Sequence, residues 1–140
     1  MQDTITVSTI VNASRENAWA AFTEAAQIVK WYHASEDWHA PYAENDLKPG
    51  GNFKTTMSAR DGSASFDFGG IYQDVIPGEF IAFTLGDGRK VKITFKDVAP
   101  GKTEITEEFD PEQEHSREMQ QNGWQAILNS FKKYVEETGS

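Results

Sequence analysis

The chain has 140 residues, a quarter of them charged and 12% aromatic, and 22 acidic against 13 basic side chains give a net charge of −9. This acidity disfavours nucleic acids and anionic membranes as partners, because both require a basic protein surface. The absence of cysteine excludes disulfides, thiolate catalysis and cysteine-ligated zinc. Since no apolar stretch has the length of a membrane span or a signal peptide, we expect one cytoplasmic domain over residues 1–140, without membrane insertion.

The N-terminal segment predicts one strand followed by two short helices. Apolar and polar residues alternate over Ile5–Val11, which is typical of a half-buried strand. Ser14 is a good N-cap for a helix that begins at Arg15, and Glu16 is a favourable residue in its first turn. A second short helix is expected over Ala25–Trp31.

The middle of the chain predicts a series of antiparallel hairpins. A short or edge strand is expected near Pro41, and a further strand follows the glycine turn at residues 48–51. Ser65–Ile76 has the pattern of a long strand, in which Gly69-Gly70 indicates a bulge or a sharp bend. Turns at residues 77–78, 87–88 and 100–101 separate three more strands, the last ending at Phe109. Strands joined by such short turns form an antiparallel meander.

The last part of the chain predicts one long amphipathic helix that begins near His115. Its apolar side chains, including Trp124, Ile127 and Phe131, recur at three- and four-residue steps. These three are interpreted as core residues that pack against the sheet. The order of elements defines an α+β domain, and a curved sheet followed by a terminal helix suggests a sheet wrapped around that helix, often over a cavity.

Several short motifs carry a family resemblance over about residues 5–135: Lys30-Trp31, Leu47-x-Pro49-Gly50-Gly51-x-Phe53, Phe68-x-Gly70-x-Tyr72 and Gly123-Trp124-x-x-Ile127-Leu128-x-x-Phe131. The chain resembles the START-like, or helix-grip, superfamily (SRPBCC) of the birch-pollen-allergen type, and in particular bacterial homologues of the C-terminal domain of the heat-shock chaperone ATPase activator. This resemblance implies a six- or seven-stranded antiparallel sheet gripping the C-terminal helix over an apolar cavity. Superfamily members bind lipids, hormones and polyketides, and some are cyclases or hydrolases.

The predicted inner face of the sheet carries large side chains, and volume left beside the helix would form an apolar small-molecule site. The residues expected to line it are Trp31, Trp38, Phe53, Met57, Phe68, Tyr72, Phe83, Phe95, Glu107, Met119 and Gly123. Glycine inside a helix costs about 1 kcal/mol relative to alanine. Gly123 therefore indicates either close packing against a strand, which is the favoured alternative, or space left for a ligand.

Glu107 is the charged residue with the clearest chemical interest. Alternation along the last strand places it on the same face as Ile105 and Phe109. If that face points inward, burial would raise the pKa of the carboxyl, which could anchor a ligand or act as a general acid or base. If the register breaks near Phe109, Glu107 points outward. The two alternatives remain open at this stage.

Three functions are compatible with the sequence. The first is a carrier or sensor of a small lipophilic molecule, such as a lipid, polyketide or flavonoid. The second is a cyclase or hydrolase that uses Glu107, with Tyr72, to move protons; no catalytic motif supports it, so an enzyme is the less favoured reading. The third is a chaperone-associated interaction module in a stress response. No cofactor or metal is expected, because Glu112-x-x-His115 is only half of a di-iron motif, and the protein should be a monomer or weak dimer.

Overall fold

The computed structural model describes residues 4–137, so the first and last three residues of the predicted domain lie outside the described part. The elements follow the predicted order: β1 Ile5–Val11, α1 Arg15–Thr23, α2 Ala25–Trp31, β2 Trp38–Asn45, β3 Asn52–Ala59, β4 Ser65–Ile76, β5 Phe80–Leu85, β6 Lys90–Ala99, β7 Lys102–Phe109 and α3 Arg117–Glu137. The prediction of the terminal helix is confirmed, although its first residue is Arg117 rather than His115.

The strands form one curled antiparallel sheet in the order β1-β7-β6-β5-β4-β3-β2. The predicted α+β helix-grip class is therefore confirmed, with seven strands. β2 is an edge strand, as Pro41 indicates, and its pairing with β3 shifts register between His39 and Tyr42. Because proline cannot donate to a strand ladder, an irregular edge strand is where it is tolerated.

Of the two alternatives predicted at Gly69-Gly70, the bulge is wrong, because pairing with β3 runs through both glycines without a shift, and the sharp bend stays a prediction. The irregularity of β4 lies instead between Tyr72 and Asp74, in its pairing with β5. The two glycines serve a different purpose. A Cβ at Gly69 would collide with the carbonyl oxygen of Phe53, and one at Gly70 with that of Thr84.

Specific hydrogen bonds cap the first short helix and join the second short helix to it. Ser14 caps α1 as predicted, and its Oγ accepts a hydrogen bond from Asn17 N at 3.1 Å. Trp31, at the end of α2, is almost fully buried, and its indole N–H donates to the carbonyl oxygen of Ala21 at 2.9 Å. A buried tryptophan needs such a partner for its N–H group, so this bond fixes α2 against α1.

Helix α3 lies along the concave side of the sheet and covers the free edge of β1. Side chains spaced along the helix bind backbone atoms of that edge: Arg117 Nη2 to Thr4 O at 3.0 Å, Gln125 Nε2 to Ser8 O at 3.1 Å, Lys132 Nζ to Ile10 O at 2.6 Å, and Asn12 N to Glu136 Oε2 at 2.8 Å. Exposed strand edges invite pairing with other chains, so these contacts also protect the protein from edge association. Over residues 4–137, no helix combines the length and the hydropathy needed to cross a bilayer.

Candidate functional site

A cavity of about 500 Å³ lies between the sheet and the N-terminal half of α3. It is bounded by the segment after α2, by strands β2, β3, β4 and β7, and by the segment that leads into α3. Its lining residues are Tyr32, His33, Ala34, Ser35, Trp38, Met57, Phe66, Phe68, Arg89, Glu107, Glu112, His115, Met119, Gln120, Gly123, Trp124 and Ile127. Its volume is that of a typical small-molecule site.

Aromatic rings in mutual contact form the inner wall of the cavity. The ring of Phe68 lies 6.0 Å from that of Tyr32 and 5.9 Å from that of Trp124, centroid to centroid. Trp124 in turn stacks on Phe109, with centroids 3.8 Å apart and an interplanar angle of 11°. Aromatic contacts of this kind hold their partners in defined orientations, so this wall has a fixed shape.

The mouth of the cavity is marked by two large apolar side chains that remain more than half exposed. Phe66 is 52% exposed and Met119 is 61% exposed, and both also line the cavity. Trp38 makes an edge contact with Phe66 at a centroid distance of 5.7 Å. An apolar ligand would therefore meet apolar side chains from the entrance inward.

Gly123 marks space and not close packing, so the favoured sequence interpretation is wrong. A Cβ built on this glycine would meet no atom within 4 Å apart from its immediate neighbours. Met119 and Ile127, one turn away on either side, line the same cavity. The glycine therefore leaves room between the helix and the sheet at the cost of some helix stability.

Five of the predicted lining residues do not line the cavity, and two of them belong to the core beside the short helices. The ring of Trp31 lies 4.9 Å from Phe131, and Phe22 lies 5.2 Å from both. The ring of Phe95 lies 5.4 Å from Phe22 and 5.2 Å from Trp19. Because α1 brings Trp19 and Phe22 onto Phe95 and Trp31, the space that would expose Trp31 and Phe95 to a ligand is already filled.

The other three residues that do not line the cavity are Phe53, Tyr72 and Phe83, which pack on one another. Phe53 lies 4.7 Å from Phe83 and 5.1 Å from Tyr72. Phe53 also reaches Phe68, at 6.0 Å, so the cluster supports the wall from behind. The hydroxyl of Tyr72 donates to Asn45 Oδ1 and is therefore already engaged.

Six predicted residues do lie together on the cavity wall: Trp38, Met57, Phe68, Glu107, Met119 and Gly123. Their binding role remains a prediction. Trp124 and Ile127, interpreted from the sequence as core, are half-buried and also line the cavity, whereas Phe131 is fully buried as expected.

Glu107 points inward, which decides between the two alternatives left open by the sequence. Strand alternation continues through Phe109, and Glu107 is only 7% exposed. Its cross-strand neighbours, Val7 on β1 and Ile93 on β6, are both apolar. Burial raises the pKa of the Glu107 carboxyl to about 8. Within residues 4–137 no group donates a hydrogen bond to this carboxyl, which lies on the wall of the cavity.

Tyr32 is a second polar group on the same wall, and the sequence reasoning missed it. Its backbone N–H closes α2 by donating to Ile28 O at 3.1 Å. Burial, and to a smaller extent the nearby Glu107 and Tyr72, raises the pKa of the Tyr32 hydroxyl, so it stays protonated at neutral pH. The described part of the chain offers this hydroxyl no hydrogen-bond partner.

The rim beside the start of α3 is polar, and its groups are bound to one another. The buried Gln120 receives the N–H of Glu112 at 2.8 Å and donates to His115 O at 2.9 Å, which fastens this segment to the helix. The Glu112 carboxylate accepts from His115 N at 2.7 Å and lies 3.1 Å from the His115 ring. Glu112, Glu114 and His115 place three potential metal-ligand atoms within 4.8 Å of one another, at a surface where acidic groups commonly cluster without a metal.

Two features of the sequence indicate further cavity-lining residues that are not among the predicted ones. Tyr32 and His33 directly follow the Lys30-Trp31 motif, in the segment that covers the end of the cavity. Phe66 is two residues before Phe68 and so shares its face of β4, opposite Met57 on β3. Arg89, in the turn between β5 and β6, carries no such signal.

Comparison with known proteins identifies the family. The family described as "Activator of Hsp90 ATPase homolog 1-like protein" matches residues 12–136, so the chain belongs to this family. No curated protein matches the chain.

Solved structures of bacterial proteins are similar over nearly the whole chain. The AHSA1-like protein from Aeromonas hydrophila is 39% identical, with a TM-score of 0.88, and the match covers 96% of this chain and 94% of that one. A protein from Cytophaga hutchinsonii is 53% identical, with a TM-score of 0.82 and coverages of 98% and 94%. A protein from Chromobacterium violaceum is 25% identical, with a TM-score of 0.84 and coverages of 96% and 99%.

Proposed function

We propose that the protein binds one small lipophilic molecule in the cavity between the sheet and α3, as a carrier or sensor. The observation that carries this proposal is the open space itself, about 500 Å³ lined by aromatic and other apolar side chains. Closing that space would bury apolar surface, which is worth roughly 25 cal/mol per Å². A fold that keeps it open forgoes this stabilisation, and an apolar ligand would supply it.

The composition of the wall supports an apolar ligand of variable shape. Met57 and Met119 are unbranched and flexible, so they can adapt to ligands of different outline. Trp124 and Phe68 are held by ring contacts and lie nearly perpendicular to each other, at 81°, so they supply two aromatic surfaces that meet at an angle. The family fold commonly binds hydrophobic ligands, which agrees with this combination.

A neutral fluorescent probe, N-phenyl-1-naphthylamine, tests the proposal without knowledge of the natural ligand. A neutral probe is needed because the net charge of −9 would repel an anionic one. We expect saturable binding at one site per chain. Gly123→Leu should weaken that binding at least tenfold, since its side chain enters the cavity from the helix.

Asn122→Leu is the matched control, because it adds the same side chain one residue earlier on the exposed face of α3. This variant should bind the probe as the wild type does. Non-saturable binding, or equal affinities of the two leucine variants, would contradict the proposal. Native mass spectrometry of gently purified protein, followed by solvent extraction, would then identify any natural ligand.

A second candidate function, acid–base catalysis, is favoured by the buried carboxyl of Glu107. A pKa near 8 allows this group to give or take a proton at neutral pH. Tyr72, its expected partner from the sequence, is bound to Asn45 and does not line the cavity. Conversion of an extracted ligand by the wild type and its loss in Glu107→Gln would establish this function.

An interaction module predicts a filled core, and the open cavity does not favour it. A direct test is the ATPase rate of a heat-shock chaperone, which such a module should change when added in excess.

A further inference from the structure

Two polar groups on the apolar cavity wall, Tyr32 and Glu107, have no hydrogen-bond partner within residues 4–137. In that part of the chain every side-chain oxygen or nitrogen that is closed off from solvent is hydrogen-bonded, so the polar atoms of Tyr32 and Glu107 reach the open space of the cavity. Polar groups inside a protein are as a rule paired, because an unpaired one costs free energy. Two unpaired groups that face an apolar cavity therefore indicate where a ligand would complete the pairing.

The two groups come from different elements of the fold. Tyr32 follows α2, and Glu107 lies near the end of β7 in the sheet. They are near enough that the charge on Glu107 raises the pKa of the Tyr32 hydroxyl. Both also line the cavity, together with Phe68, whose ring contacts that of Tyr32.

The protonation of the two groups sets what they can bind. Burial raises the pKa of each, so at neutral pH the tyrosine is a phenol and the carboxyl is largely neutral. A phenol and a carboxylic acid each carry one O–H donor. The cavity wall also holds other titratable or charged groups at its mouth and rim, namely His33, Arg89, Glu112 and His115. None of them is a cause of the shift at Glu107, which comes from burial.

We propose that Tyr32 and Glu107 form a two-donor site that receives the carbonyl oxygen of an otherwise apolar ligand. This inference rests on the proposed ligand-binding function and specifies the chemistry of the ligand. A carbonyl oxygen has two lone pairs and no proton of its own, so it can accept from both donors at once. An apolar ketone, enone or quinone would place its ring system against Phe68 and Trp124 and its oxygen between the two O–H groups.

The same pairing of a tyrosine and a protonated carboxylic acid holds a carbonyl oxygen in ketosteroid isomerase, an unrelated protein. The chemistry therefore has a precedent in an apolar site. Here the pairing fixes the orientation of a bound ligand, and no reaction needs to follow.

Two compounds of equal shape test the proposal: 2-acetylnaphthalene, a ketone, and 2-isopropenylnaphthalene, in which a CH₂ group replaces the carbonyl oxygen. Their affinities would be measured by equilibrium dialysis for the wild type and for Tyr32→Phe, Glu107→Leu and Glu107→Gln. The ratio of the two affinities is then compared between the proteins. This comparison cancels the difference in partition from water between the two compounds, and also any change in packing that affects both compounds equally. One lost hydrogen bond should lower the ratio about three- to tenfold.

We expect this loss in Tyr32→Phe and in Glu107→Leu, and a partial recovery in Glu107→Gln, whose amide keeps a donor. The carbonyl stretching frequency of the bound ketone should also lie below its value in hexane, and move back toward that value in Tyr32→Phe. This second readout needs only the wild type and Tyr32→Phe, which keeps the aromatic ring and loses the hydroxyl. It therefore remains decisive if Glu107→Leu does not fold.

An unchanged ratio in the two variants, together with a hexane-like carbonyl frequency, would overturn the two-donor site while leaving the proposed function intact. Failure of both compounds to bind the wild type would overturn the proposed function together with this inference. The two failures are therefore distinguishable.

Discussion

The two halves of α3 lie against the same sheet, but one half packs in a filled core and the other borders a cavity. In the C-terminal half, Leu128, Phe131 and Val135 are fully buried. In the N-terminal half, Met119 is mostly exposed and Gly123 faces open space. Both halves share one amphipathic sequence pattern. The pattern therefore does not determine whether the space opposite the apolar face of the helix is filled.

The difference comes from what lies opposite each half. The C-terminal half meets Phe22 of α1 and Trp31 of α2, whose rings contact Phe131 at 5.2 and 4.9 Å. Within residues 4–137 no helix lies opposite the N-terminal half, which faces the concave sheet and the segment after α2. The two short helices therefore fill the space at one end of α3 and leave a cavity at the other.

The largest expected effect is on stability, from truncating one apolar side chain in each half. Phe131→Ala should lower the free energy of unfolding by about 3–5 kcal/mol, because it leaves a void among rings that cannot close in. Ile127→Ala, one turn earlier, should cost about 1 kcal/mol, since its half-buried side chain already borders open space. Urea denaturation of both variants provides the measurement, and equal losses would show that the two halves are packed alike.

The second-largest expected effect is a pH dependence of the free energy of unfolding, which comes from Glu107 on the wall of the cavity. The folded state holds the Glu107 proton up to about pH 8, while the unfolded chain releases it near 4.5. Between these two pKa values the native state binds more protons than the unfolded state. The contribution of Glu107 to the free energy of unfolding therefore falls as pH rises, by about 1.4 kcal/mol per pH unit. Glu107→Gln removes the titration, so the variant should gain stability relative to the wild type from pH 5 to pH 8.

Denaturation of both proteins at each pH unit measures this difference. Glu108→Gln is the matched control, because Glu108 is the next residue on β7 and faces solvent beside Lys92 of β6. A stability difference between wild type and Glu107→Gln that is constant with pH would mean that the carboxyl is not neutral in the folded protein.

The smallest expected effect concerns the open space beside Gly123. Gly123→Ala should stabilise the protein by about 1 kcal/mol, because alanine is the better helix former and its Cβ meets no other atom within 4 Å. Gly70→Ala should instead destabilise it, because that Cβ would collide with the Thr84 carbonyl oxygen. Thermal unfolding measures both changes. A loss of stability in Gly123→Ala would mean that the sheet packs closely against the helix at this point.

Much of the fold could be predicted because its signals are local. The turn residues, the alternation along each strand and the apolar steps of α3 depend on neighbours within a few positions. The bulge in β4 was misplaced because two glycines in a strand have two explanations, an irregular ladder or a close approach of backbones. Only the paired strands show that Gly69 and Gly70 serve the second.

About a third of the residues that line the candidate site were predicted to do so, and the rest show why composition alone is insufficient. Phe68 and Phe95 have the same residue type and the same inward orientation on their strands, yet only Phe68 meets the cavity. Their difference depends on Phe22, which lies more than forty residues away in sequence. Tyr32 carries no periodic signal, and its proposed role depends on Glu107, which lines the same cavity.

The sequence by itself determined the order of the elements, the antiparallel sheet and the amphipathic helix that it grips, because each depends on short-range periodicity and turn chemistry. The tertiary structure alone decided which inward side chains fill the core and which line a cavity, since that depends on what the two short helices place opposite them. It also decided that Glu107 points inward with no partner in residues 4–137. A buried carboxyl acquires its chemistry from surroundings that distant segments bring together.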